Sequence, residues 1–225
     1  MSTTSETRGK QKERMTLPKA FRTLWTHPSP WVLAIGLVTC WSVRITLGEW
    51  LIWDALILAG LVAVWPFVEW VIHVFVLHMK PFQIAGKTVD LHLSSKHRAH
   101  HQDPDDLTHV FIPIRSLLIS LPFYFLVAWL VMPTTPLMFT ALAGLFTMGI
   151  IYEWCHFLIH TNYRAKTRFY KRLWRHHRLH HFKHEENWFG VSTTMGDKVL
   201  GTAPNFREIE TSPNCRTLGV NNPVE

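Results

Sequence analysis

Four long apolar stretches leave this chain few folds to adopt. They cover residues 31–47, 51–77, 110–131 and 137–159. An α-helix rises 1.5 Å per residue, so about 20 apolar residues are needed to cross the hydrocarbon of a bilayer. A soluble helix shows one apolar stripe, whereas these stretches are apolar on all sides. The expectation is four membrane-spanning helices. Arg44, near the end of the first, is expected to snorkel to the interface. Pro66 is expected to kink the second, and Trp31, Trp50, Trp53 and Trp129 fall near span ends, where aromatic belts form.

Charge sets the topology. Residues 1–30 hold six Lys/Arg, 80–109 hold four, and the segment from 161 holds eleven, while the two short turns at 48–49 and 132–136 hold none. Four passes put every basic segment on one side, which the positive-inside rule makes the cytoplasm, with both termini there. The basic tail follows a span directly, which favours a membrane surface over nucleic acid as its partner. Three Cys with no Cys-x-x-Cys rule out a disulfide scaffold and a Cys-only metal site. The fold class expected is therefore all-α: a four-transmembrane-helix protein with a cytoplasmic helical cap. Its parts are a basic N-terminal segment (1–28), a membrane domain (29–202) and a polar tail (203–225) expected to lie loosely on the surface.

The cap is where the histidines fall. Of fifteen His, fourteen lie between residues 73 and 184, in two groups of seven that each follow a pair of spans. The first group holds His73 and His78 (H-x-x-x-x-H), then His97, His100 and His101 (H-x-x-H-H). The second holds His156 and His160 (H-x-x-x-H), then His177, His180 and His181 in a second H-x-x-H-H. Residues three and four apart share a helix face, so each cluster can aim imidazoles at one ion. Five apart is less regular, and His73 and His78 call for a helix end that unwinds or for two different ions. Both span pairs end on the same side, so all four clusters can converge on one cap. Ten imidazoles exceed the needs of one ion. Two ions with five ligands each would use all ten and leave each an open octahedral position, as for a redox metal that binds oxygen, although imidazole alone does not choose among Fe, Zn, Cu and Ni. Glu69 and Glu153 are expected to accept from imidazole N–H groups and fix their tautomers. His184 continues the His177 face and is a possible further ligand.

The motifs resemble those of the fatty acid hydroxylase/sterol desaturase superfamily of membrane di-metal oxygenases. EWVIHVFVLH (69–78), HRAHHQDPDDL (97–107), YEWCHFLIH (152–160) and HHRLHHFKHEENWFGVSTTMGDKVLGT (176–202) are similar to its four boxes in order. The look is nearest to fatty acid 2-hydroxylases. The resemblance implies metal ligation by His73, His78, His97, His100, His101, His156, His160, His177, His180 and His181. It implies two iron ions, which zinc can replace in purified protein, and O₂ as co-substrate. Gly196 stands before Asp197 where the family pattern has an aromatic, which leaves Asp197 a structural role such as a turn cap. The reaction implied is hydroxylation of a lipid acyl chain, fatty acid or ceramide, at the membrane–cytosol interface. The chain carries no dinucleotide, haem or Fe–S motif, so an external electron donor is expected, cytochrome b5 or ferredoxin with its reductase. Small size and the lack of a fused donor domain favour a bacterial inner membrane over the endoplasmic reticulum. Within the superfamily the alternatives are sterol or carotenoid oxidation and lipid desaturation. Outside enzymes the alternative is a metal transporter, which would need ionisable residues at mid-membrane depth.

Overall fold

The computed structural model describes residues 14–220; residues 1–13 of the basic N-terminal segment and 221–225 of the tail lie outside the described part. A short helix α1 (Leu17–Leu24) precedes the first span, α2 (Pro28–Leu47). The second, α3 (Ile52–Ile72), passes without a break into a π-helical turn, His73–Leu77. A two-stranded antiparallel hairpin follows, β1 (Phe82–Ile84) and β2 (Lys87–Val89), then α4 (His92–Gln102). The remaining spans are α5 (Ile114–Val131) and α6 (Thr135–Ile159), and α7 (Arg168–Phe182) and α8 (Met195–Leu200) complete the cap. Four segments are thus long and apolar enough to cross a membrane. The hairpin is an addition to the all-helical expectation. Its turn is Ala85–Gly86, both at positive φ, as a tight two-residue hairpin turn requires.

Helix α6 is the centre of the bundle and packs against α2, α3 and α5. Its small residues Ala141, Ala143 and Gly144 are buried, and a Cβ on Gly144 would strike Leu61 of α3. Small side chains here let helices approach where lipid supplies no hydrophobic drive between them. The other faces of the spans expose Ile35, Val62, Ile119, Leu130 and their neighbours. Apolar residues that would be costly to leave in water are at home in hydrocarbon.

Arg44 does not snorkel. Its side chain is fully buried at the end of the bundle away from the cap, where Nη2 and Nε donate to the Asp54 carboxylate at 2.7 and 2.8 Å. Thr140 and the Gly48 carbonyl complete the set, and the guanidinium lies 3.9 Å from the Trp50 ring centroid. A guanidinium fork matches a carboxylate bidentately, so α2 and α3 are stapled within the protein and the charge never needs the interface.

At the opposite end, Met15 N donates to Asn162 Oδ1, just past α6. Residues after Thr202 do not lie loosely. Ser212 N donates to the Lys183 carbonyl, Arg216 reaches the His101 and Gln102 carbonyls, and Cys215 and Leu218 are buried. The described ends of the chain and the histidine-rich helices therefore share one end of the bundle.

Candidate metal centre

The structure gathers ten imidazoles into two adjacent groups of five. His73, His78, His97, His101 and His180 form one; His100, His156, His160, His177 and His181 form the other. Within each group the candidate ligand atoms all lie within 4.8 Å of one another, and every ring but that of the half-buried His78 is buried. Ring nitrogens meet at 3.2 Å between His78 and His180, 3.1 Å between His100 and His160, and 2.9 Å between His177 and His181. Two nitrogens bound at right angles to one ion at about 2.1 Å stand roughly 3.0 Å apart, so the observed spacings are those of neighbouring ligands. The groups abut, with the His101 and His181 ring centroids 4.2 Å apart.

Local structure explains how the motifs reach these positions. His73 and His78 belong to one group because the chain is π-helical between them, with His78 N donating to the His73 carbonyl at 3.1 Å. An i→i+5 turn brings residues five apart toward one face, which an α-helix would not. Ser94 donates to the Val76 carbonyl at 2.6 Å and Arg98 to that of Met79 at 2.9 Å, fastening α4 to main-chain carbonyls at this helix end. Each H-x-x-H-H divides between the groups. His97 and His101, four apart, face the first group while His100 turns to the second. His177 and His181 face the second while His180 turns to the first.

Backbone carbonyls orient the rings. The Nδ1–H groups of His101, His156 and His180 donate to the carbonyls of Cys215 (2.8 Å), Val110 (2.7 Å) and Asn187 (2.8 Å). A carbonyl can only accept, so each ring must carry its proton on Nδ1 and present the Nε2 lone pair to its group. The Nε2 atoms of His73, His97, His101 and His156 are buried without a hydrogen-bond partner. Buried polar atoms are ordinarily paired, so orphaned lone pairs, three in the first group and that of His156 in the second, fit a cation in each. Burial, reinforced by the neighbouring rings, holds His97, His100, His177 and His181 well below the usual imidazole pKa, and burial lowers His180 to about 4. These rings are neutral at pH 7, the form that binds metal.

Glu69 and Glu153 do not touch imidazole as expected. The Glu69 carboxylate accepts from Val191 N, Ser192 N (2.9 Å) and Ser192 Oγ. Glu153 Oε1 accepts from Ile112 N at 3.0 Å. Each acid anchors a loop instead. The first loop carries Phe189, whose ring packs on His73, His78 and His180; the second carries the Val110 carbonyl. The carboxylates satisfy backbone amides that the loops would otherwise bury unpaired, while carbonyls, which cannot donate, serve the rings. Residues 187–194 are thus largely a buried wall.

His184 lies outside both groups, as do His92 and His176. His184 is half-buried and its Nδ1 accepts from Glu186 N at 3.3 Å. His92 Nδ1 sits 3.0 Å from Ser116 Oγ. His176 Nε2 meets Asp197 at 2.8 Å, and Asp197 also accepts from Phe189 N, Gly190 N and Thr202 Oγ1, so it closes the 189–202 loop from inside. The carbonyls of Val110, Asn187 and Cys215 escaped the sequence reading, since every residue has one.

A cavity of about 220 Å³ extends from this cap into the bundle between α3, α5 and α6. Leu33, Val68, Ile72, Leu117 and Phe146 form apolar wall. Ser116, Ser120 and Tyr124, one turn apart on α5, form a polar strip along it, and Glu69 and Tyr152 also line it.

Comparison with known proteins agrees with this architecture. A sequence model of the family described as fatty acid hydroxylase matches residues 57–202. A dihydroceramide fatty acyl 2-hydroxylase of Arabidopsis thaliana is 30% identical over 81% of this chain and 74% of its own. The fatty acid 2-hydroxylase of Mus musculus is 31% identical over 61% of this chain and 37% of its own, so the shared part is a fraction of that longer protein. The solved structure of full-length Scs7p, in which only the hydroxylase domain is visible, has the same fold, with a TM-score of 0.66 at 22% identity over 81% of this chain and 69% of that one.

Proposed function

The chain belongs to the fatty acid hydroxylase family, and on that premise we propose that it is a di-iron, O₂-dependent monooxygenase that hydroxylates the acyl chain of a fatty acid or ceramide-type lipid near its carbonyl. One observation carries the reading: two abutting five-imidazole groups adjoin a largely apolar cavity within a membrane bundle, whose lining includes Ile72 and Leu77, next in sequence to His73 and His78, and Tyr152, whose ring packs on His156. His73, His78, His97, His101 and His180 would hold one iron, and His100, His156, His160, His177 and His181 the other. Bound there, iron would supply activation of O₂ and attack on an unactivated C–H bond.

The rest follows from the chain's own side chains. The apolar walls of the cavity select a hydrocarbon chain and exclude water from it. Ser116, held by His92, lies at the cap end of α5 and can donate to a lipid carbonyl or hydroxyl, which would stop the head group near the histidines. The first carbons of the hydrocarbon would then lie beside Ile72 and Leu77, next to the first histidine group. The carbonyls of Val110, Asn187 and Cys215 keep the rings in one tautomer. The catalytic unit on this reading includes the tail as far as Leu218 rather than ending at residue 202. The cap faces the cytoplasm, where a reduced partner such as cytochrome b5 or ferredoxin meets its basic surface.

Lipid mass spectrometry of cells with and without the protein, grown under ¹⁸O₂, tests this. The expected product is an acyl chain heavier by one ¹⁸O atom. A product lacking two hydrogens and carrying no label would show a desaturase, and labelled sterol or carotenoid would move the substrate class.

A further inference from the structure

On the flank of the cap, α7, α8 and residues 203–206 enclose a second pocket, of about 450 Å³. Arg168, Lys171, Arg172, Arg175 and Lys198 line it with no carboxylate among the lining residues. None of these five side chains makes an ion pair among the described residues. The acids nearby are engaged elsewhere: Asp197 faces His176 and the 189–202 loop, and Glu208 takes the Asn205 amide at 2.6 Å. Arg175 is steadied by the Phe206 ring, whose centroid is 4.1 Å from its guanidinium carbon. Five unneutralised cations around one concavity repel one another, and an anion in it removes that penalty.

The same wall is lipid-facing. Helix α8 lies along α3, and Gly196 touches the Pro66 backbone so closely that any Cβ would strike its carbonyl. Pro66 precedes His73 by seven residues, so this contact lies about 10 Å below the metal-binding level on the bilayer side. Trp65 and Trp70 of the same span donate to Ser192 and Thr202 at 3.0 and 2.9 Å, fixing the segment at that depth. From α8, Met195, Val199 and Leu200 point outward and are exposed, while Lys198 turns to the pocket. Phe169 is 62% exposed at the start of α7. An occupant with an anionic head and hydrocarbon tails satisfies both surfaces at once; a soluble acidic protein would leave the apolar flank of α8 uncovered.

We propose that this pocket binds the phosphate of an anionic phospholipid from the surrounding leaflet, as a site separate from the acyl cavity. It does not depend on the oxygenase reading. The test uses the full metal-loaded chain in neutral detergent, exchanged into nanodiscs of phosphatidylcholine with or without phosphatidylglycerol, with bound lipid read by native mass spectrometry. Wild type is expected to retain phosphatidylglycerol over phosphatidylcholine. Lys171→Gln/Arg172→Gln/Lys198→Gln, which alters only exposed side chains, is expected to weaken that retention by about fivefold per cation removed, on the order of 100-fold in all. Metal content and helix content should stay at wild-type levels, separating loss of a site from loss of fold. Equal retention by wild type and variant would overturn the proposal. So would displacement by an equal concentration of inorganic phosphate, which would mark a phosphate site indifferent to lipid, or binding of an acidic donor protein there that anionic lipid does not affect.

Discussion

The two halves of the chain carry the same parts in the same order. Each has a helix pair, a buried glutamate on its second helix, two histidines at that helix's end and a His-x-x-His-His motif. They differ in how the parts are brought to bear. The second half keeps α-helical spacing, with His156 and His160 four apart and α7 beginning after a short loop. The first half has five residues of separation, a π-turn and a hairpin before α4. What both conserve is the direction of the imidazoles, not the spacing along the chain. The halves also trade parts. Each group takes four histidines from its own half and one, His100 or His180, from the other. Glu69 anchors the loop that follows the second His-x-x-His-His, and Glu153 the loop that follows the first. Neither half can complete a five-nitrogen set alone, so metal binding and the packing of one half on the other are a single event.

The exchange gives the largest expected effect. On the function proposed above, with one iron in each group, His73→Ala and His177→Ala should each release one metal ion of two and lower activity by more than about 100-fold, beyond the range seen for groups that merely support a ligand. The sharper experiment pairs substitutions. His180→Ala with His73→Ala disables one group and should cost one iron in total by elemental analysis. His180→Ala with His177→Ala, though both lie on α7, disables both groups and should cost two. The opposite result would reassign the crossing histidine.

Acid should dismantle both groups. His180 has a folded pKa near 4 and an ordinary value of 6.5, and burial holds His97, His100, His177 and His181 well below theirs. Unfolded chains therefore take up protons that the folded metal-free protein refuses. Stability is fully present above pH 6.5 and is lost as pH falls from there toward 4. Thermal melts of the metal-free protein should drop steeply across that window. With metal bound, protons compete for the same lone pairs, and release should follow one transition because nine of the ten rings are buried and His78 alone is half-buried. Two well-separated steps would show that the exposure of His78 is enough to set the first group apart.

Smaller effects are expected from the glutamates. Gln keeps an acceptor oxygen for the loop amides but loses the charge, so Glu69→Gln and Glu153→Gln should each lower activity by roughly 10-fold with both irons retained. Unequal losses would show that one loop matters more than its counterpart. These two residues also show how far sequence reaches. The spans were legible because about 20 apolar residues in a row have few uses. The ten histidines stood out because their spacing matches helix faces, while the irregular 73–78 interval left an unwound helix end and two different ions both open until the π-turn placed both rings in one group. The glutamates stood out as buried acids beside histidines, yet their partners were read wrongly. Side-chain chemistry is written in the sequence, whereas the amides and carbonyls that answer it are common to every residue. Arg44 misled for a related reason: its pairing with Asp54 depends on two helix ends meeting, which no local pattern encodes.

The least effect should come from a residue that touches the site most directly. Cys215 is buried, and its carbonyl accepts the His101 Nδ1 proton at 2.8 Å. The thiol has no part in that bond, so Cys215→Ala should keep activity within about twofold, the scale of a minor packing change. Removing the chain after Glu210 takes away the carbonyl itself, together with Arg216 on the His101 and Gln102 carbonyls. His101 would then be free to move its proton to Nε2 and withdraw its lone pair from the first group. Truncation should therefore lower activity by about 10- to 100-fold and weaken one iron, leaving the second group's intact. Equal behaviour of the point variant and the truncation would mean that the tail is a passive cover. A difference between them would place a main-chain atom, invisible to any reading of side chains, among the determinants of the first site alone.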